Sequence, residues 1–132
     1  MQGSLDTNVL MRFALKDVRR EFERARALLA VEGARYQVAD AVWIEIVYAL
    51  DHHYGLDRAA ICDVITSLMS IDSVSTDTAA IGAACATYCE HPKLSFVDCY
   101  LAAKADCAKA VPLFTFDQKL AAQHPSATVV PS

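Results

Sequence analysis

Short runs of apolar or β-branched residues alternate along this chain with longer stretches whose apolar positions recur every three or four residues, the pattern of an α/β domain with a mainly parallel sheet. A short opening strand ends near Asp6. Helices are predicted over 8–15 and 18–31, the second with Phe22, Ala25, Leu28 and Leu29 on one face and Gly33 closing it. A brief strand over 36–38 leads into a helix over 41–54, with Asp40 as N-cap and Gly55 as stop. Asp57 caps a helix reaching Met69, residues 73–75 fit a short strand, and a helix over 76–90 closes at His91-Pro92. A helix over 95–108 follows, then the clearest strand at 111–116, a short helix over 117–122 and an edge strand over 128–130. Met1 to Ser4 lack the apolar character of a central strand, so either they are foreign to the native chain or the first strand is short.

A chain of 132 residues suits one domain, 1–132, with a core that needs no disulfide or structural metal. The apolar share of 55% is high, yet no apolar run approaches the roughly 20 residues of a membrane span, and no basic segment followed by an apolar one opens the chain. A cytoplasmic protein with no membrane partner is expected. The surplus of apolar residues, Ile61, Ile65 and Leu68 among them, suggests a dimer face or a groove for a partner, with ordinary core packing as the alternative. The odd set of five cysteines (Cys62, Cys85, Cys89, Cys99, Cys107) lies in apolar helical patterns with no Cys-x-x-Cys pair, and reads as small core residues.

A net charge of −4 argues against a protein that coats nucleic acid by bulk electrostatics, but not against a nuclease. Half of the twelve basic residues (Arg12, Lys16, Arg19, Arg20, Arg24, Arg26) fall in the first 26 positions. Most of them read as a solvated helix face, with Arg19 and Glu23 spaced for an i,i+4 pair.

Four acids carry the candidate chemistry. Glu45 lies in Val42-Trp43-Ile44-Glu45-Ile46-Val47-Tyr48, apolar on every side, where a lone carboxylate costs several kcal/mol to bury unless paired, neutralised or bound to metal. Asp98 in Ser95-Phe96-Val97-Asp98 has the spacing of a capping box, which would make it structural. Asp117 follows a strand and fits an N-cap, and Asp6 fits an Asx-turn. Yet Asp6 and Asp117 lie just past the carboxyl ends of strands, where open parallel sheets place ligands, and Asp98 and Glu45 lie early in helices. Four carboxylates at one mouth repel unless cations sit between them, and oxygen-only ligation suits Mg²⁺ or Mn²⁺ rather than zinc.

In order and spacing, Leu-Asp-Thr-Asn-Val-Leu at 5–10, the Glu45 helix, Ser-Phe-Val-Asp-Cys-Tyr-Leu-Ala-Ala at 95–103 and Thr-Phe-Asp-Gln-Lys-Leu at 115–120 resemble the PIN domain, and within it the VapC toxins of bacterial toxin–antitoxin pairs. The resemblance implies a three-layer α/β/α sandwich and a metal-dependent endoribonuclease. In it Asp6, Glu45, Asp98 and Asp117 ligate Mg²⁺ or Mn²⁺, while Asn8 and Thr115 support the pocket by hydrogen bonds. It also implies structured RNA such as tRNA or ribosomal RNA as substrate, a homodimer, and a VapB-like antitoxin that covers the site. The chain departs from the pattern at its polar N-terminus and at Ala41, one turn before Glu45, where relatives often carry Ser or Thr.

Two other classes compete. A phosphoaspartyl-type phosphatase needs an Asp-x-Asp pair, and here Asn8 stands in the second place. A non-catalytic PIN-fold module that binds RNA or protein is the remaining alternative. His52, His53, His91 and His124 are expected at the surface, none arranged for nucleophilic catalysis.

Overall fold

The computed structural model describes all residues from 1 to 132, in two compact units, Met1–Asp77 and Thr78–Ser132. The first unit runs β1 (Gln2–Ser4), α1 (Thr7–Leu15), α2 (Arg19–Leu29), β2 (Arg35–Gln37), α3 (Asp40–His52), α4 (Arg58–Met69) and β3 (Val74–Ser75). Its strands form a parallel sheet in the order β1-β2-β3, with Gly3 opposite Tyr36 and Tyr36 opposite Val74. Parallel neighbours need crossovers, which the helix pairs α1-α2 and α3-α4 supply. Tyr36 anchors the central strand: its ring is buried and its hydroxyl donates to the Leu28 carbonyl at 2.9 Å.

The polar N-terminus does form a strand. β1 can be polar because it is an edge: all three of its residues are exposed, and the apolar contribution begins only at buried Leu5. The core of this unit gathers Leu10 from α1, Trp43, Ile46 and Leu50 from α3, and Ile61 and Ile65 from α4, all buried. Ile61, Ile65 and Leu68 therefore belong to packing and offer no docking groove. Asp40 is the first residue of α3 rather than its cap, while Asp57 does cap α4, accepting from the Ala60 amide at 2.8 Å. Gly33 and Gly55 follow their helices with φ of 73° and 63°, a backbone that disfavours any side chain. Glu23 pairs with Arg26 at 3.3 Å, one turn ahead of it, instead of with Arg19.

The second unit runs α5 (Thr78–Glu90), α6 (Phe96–Cys107), β4 (Leu113–Thr115), α7 (Gln118–Gln123) and β5 (Ala127–Val129). α5 and α6 pack through small buried residues, Ala80, Ala84 and Cys85 on one and Cys99, Ala102 and Ala103 on the other. Tyr88 meets Phe96 edge-on at 5.4 Å between ring centres. β4 and β5 pair in parallel with Leu113 opposite Ala127, joined by α7. The cysteine expectation holds for Cys85 and Cys99 only. Cys62 is half-buried, and Cys89 and Cys107 are exposed because they fall on the outer sides of α5 and α6; none is in a disulfide.

The class is α/β with parallel strands throughout, as the alternation of patterns predicts. No helix is long and apolar enough to cross a membrane.

Candidate functional site

In the first unit the chain leaves buried Leu5 extended, and Asp6 becomes the N-cap of α1, its Oδ1 accepting from the Val9 amide at 3.2 Å. One residue on, Thr7 Oγ1 donates to Glu45 Oε1 at 3.0 Å. That bond ties the start of α1 to the second turn of α3 and brings Asp6 and Glu45 to the same corner.

Glu45 itself overturns an expectation, because it is exposed to water rather than enclosed. At 3.6 residues per turn, the apolar residues around it point in every direction, and α3 buries one side only: Val42, Trp43, Ile46, Val47 and Leu50. Ala41, Glu45, Tyr48 and His52 form the outward stripe, and Tyr48 remains 58% exposed. The burial cost that singled out Glu45 is therefore absent. What marks it is its bond to Thr7, a hydroxyl supplied from α1 where Ala41 has none.

In the second unit Asp98 stands at the third position of α6. Ser95 Oγ accepts from the Asp98 amide at 3.1 Å, so half of the capping box forms. The other half does not: the Asp98 carboxylate, half-buried, takes no hydrogen bond from the Ser95 amide or any other group. Asp117 does cap α7, with Oδ1 accepting from Lys119 and Leu120 amides at 2.9 and 3.1 Å. Thr115 Oγ1 accepts from the Asp117 amide at 3.0 Å, which turns the chain from β4 into that cap.

All four acids thus keep a carboxylate oxygen with no protein partner: Oδ2 of Asp6 and Asp117, Oε2 of Glu45 and both oxygens of Asp98. Three of them sit at or in the first turn of a helix, where the positive end of the backbone dipole favours a negative group. Carboxylate oxygens of this kind suit a hard divalent cation. The structure gathers no group of three or more His, Cys, Asp or Glu side chains able to hold a metal ion. His52 and His53 are exposed, as expected. His91 and His124 are half-buried instead, because His91 Nδ1 meets Gln123 Oε1 at 3.2 Å and His124 Nδ1 accepts from the Ser126 amide at 3.1 Å.

A cleft of about 690 Å³ opens in the first unit along α1 and α2, with Asp6 on its lining. Asn8, expected to support the acids by hydrogen bonds, instead lines this cleft with its amide unpaired. Arg12 and Arg24 supply its cations. The Arg12 guanidinium meets both oxygens of Asp17 at 2.9 Å and Glu21 at 3.3 Å. Its hydrogen bond to Asp17 holds that carboxyl below the usual carboxylate range, and Asp17, then Tyr54, raise the arginine in return. Sequence reasoning gives Thr7 no role and reads Arg12 and Arg24 only within a basic cluster that is mostly a solvated helix face. Thr7 could have been suspected from its place between Asp6 and Asn8, whereas the Arg12–Asp17 pair spans the left-handed turn at Lys16 and has no helical spacing to announce it.

The family model described as PIN domain matches residues 4–123. No curated protein matches. Among solved structures, a chain described as "Toxin-antitoxin complex from Klebsiella pneumoniae" aligns over 97% of this chain and 95% of its own, at 16% identity and a TM-score of 0.36.

Proposed function

The chain belongs to the PIN domain family, and from that premise we propose that it is a metal-dependent endoribonuclease in which Asp6, Glu45, Asp98 and Asp117 hold Mg²⁺ or Mn²⁺. The observation that carries this reading is that all four acids of the family pattern keep a free carboxylate oxygen, although two of them also cap helices. A purely structural Asp98 would have closed its capping box.

A divalent cation in such a carboxylate set supplies a water that is nucleophilic at neutral pH and offsets negative charge on the phosphate. The chain's own residues do the positioning. Helix α1 fixes Asp6 through its cap, Thr7 fixes the Glu45 carboxylate, and Thr115 fixes the turn that presents Asp117. The reaction is hydrolysis: a water oxygen attacks phosphorus in line, the phosphodiester P–O bond breaks, and the departing oxygen takes up a proton.

The VapC-like motifs support a finer reading: a cytoplasmic homodimer that cuts structured RNA and is held inactive by a VapB-like antitoxin. The test is incubation of purified protein with total bacterial RNA. Discrete fragments are expected with Mn²⁺ or Mg²⁺ and none with excess EDTA. No cleavage by protein that binds metal and carries no antitoxin would turn the reading to the non-catalytic binding module.

The Thr7 contact yields a separate expectation. Thr7→Val keeps the shape of the side chain and removes the donor to Glu45. Partners that orient a metal ligand typically contribute 10–100-fold, so a loss of about tenfold in metal affinity is expected, read by Mn²⁺ titration. An unchanged affinity would mean that Thr7 holds α1 to α3 and nothing more.

A further inference from the structure

The cleft along α1 and α2 has a composition that neither its helices nor the four acids explain. Part of its lining is apolar, from Val9 on α1 and Ala25 and Leu28 on α2. Its volume of about 690 Å³ is in the range of small-ligand sites. Arg12 is occupied by Asp17 and Glu21, so its charge is locally cancelled. Arg24 is exposed, carries no carboxylate partner, and lines the same cleft. Asn8 adds an unpaired side-chain amide, with two donors and one acceptor. Asp6 completes the lining.

A free guanidinium suits one phosphate, which it can grip with two parallel hydrogen bonds. Apolar side chains suit the face of a base, and a free amide suits a base edge. With a single uncompensated cation, the cleft does not suit a long stretch of phosphate backbone. Resting on the nuclease reading, which places Asp6 at the reacting phosphate, we propose that this cleft seats one unpaired nucleotide of the RNA substrate beside the cleavage position. Arg24 holds its phosphate, Asn8 meets its base edge, and Val9, Ala25 and Leu28 receive its face. Arg24 and Asn8 are then positioning residues, apart from the acids that hold metal.

The test uses the full chain as wild type, Arg24→Ala and Arg24→Lys. The substitutions lie on an exposed helical position where Ala and Lys are good helix formers, so the fold is retained. In metal-free buffer, nucleoside 5′-monophosphates and inorganic phosphate are titrated while the Asn8 side-chain amide is followed by NMR. In Mn²⁺, KM and kcat for RNA cleavage are measured across a salt series.

Nucleotide is expected to shift the Asn8 amide in the wild type and much less in Arg24→Ala. Arg24→Ala should raise KM about tenfold with kcat within about twofold, and Arg24→Lys should recover part of the loss. The slope of log KM against log salt should fall by about 0.7, the value for one phosphate contact on a single strand. An unmoved Asn8 amide, an equal response to inorganic phosphate alone, or an unchanged KM in Arg24→Ala would each overturn the proposal. Failure of the nuclease reading looks different: the wild type would cut no RNA while nucleotide still shifted Asn8, leaving the cleft as a nucleotide site.

Discussion

Asp98→Asn is expected to lower metal-dependent RNA cleavage by at least about a hundredfold while leaving the fold intact. Removing a group that only orients a metal ligand costs 10–100-fold, so loss of a ligand's own charge should lie at or beyond the top of that range. The structure separates this effect from a structural one. The helix cap at α6 runs from the Asp98 amide to Ser95 Oγ, and the substitution keeps that amide. The Asp98 carboxylate takes no hydrogen bond from the protein, so neutralising it costs the helix only its attraction to the positive end of the α6 dipole, about 0.3–1 kcal/mol. The variant should therefore melt within about 4 °C of the wild type. Cleavage by Asp98→Asn at the wild-type rate would remove Asp98 from the site. A large drop in melting temperature would restore the capping role that its sequence context suggests.

Trp43→Ala should produce the largest loss of stability. Trp43 is fully buried in the first unit, and its Nε1 donates to Thr76 Oγ1 at 2.7 Å. Thr76 Oγ1 in turn donates to the Val38 carbonyl at 2.9 Å, so one indole ties together the chain just past the C-terminal ends of the parallel strands β2 and β3. Truncation of a core Trp costs about 3–5 kcal/mol, a large share of the 5–15 kcal/mol that holds typical domains folded. With a urea dependence of roughly 2 kcal/mol per molar, the midpoint should fall by about 2 M, followed by circular dichroism. Trp43→Phe, which keeps much of the apolar volume and removes the donor, should cost less. Equal losses in the two variants would assign the stability to the hydrogen bond rather than to packing. Glu45 lies two residues further along the same helix, so RNA cleavage should fall with stability in Trp43→Ala.

Local order was legible in the sequence wherever one residue type answers one backbone need. Asp57 and Asp117 cap the helices they were expected to cap, while α3 ends earlier than expected, at His52 with His53 as C-cap, and Gly55 takes the left-handed backbone two residues beyond that cap. The period of apolar positions placed Ala25 and Leu29 inward on α2. The alternation of short β-branched runs with long helical ones fixed a parallel α/β class, because parallel strands must be separated by crossovers long enough to hold helices. The family motifs added the four acids as a set, which no single spacing could do.

Other features depend on what lies opposite a residue, and that is a tertiary matter. The run around Glu45 reads as buried, yet an apolar neighbour in sequence covers a helical residue only if another element packs on that side, and none covers Tyr48. The Asp98 capping box is specified by spacing, but whether its carboxylate turns to Ser95 is decided by rotamer and surroundings, and it does not turn. Arg24 and Arg12 are alike in sequence. Only the fold gives Arg12 the carboxylates of Asp17 and Glu21 and leaves Arg24 free in a cleft that Val9, Ala25 and Leu28 also line. The sequence by itself determined the elements, their parallel order and the acids to examine, since propensity, capping and period act within a few residues. The tertiary structure decided exposure, the Thr7–Glu45 bond and the cleft, since each joins groups that the chain brings together from separate turns or elements.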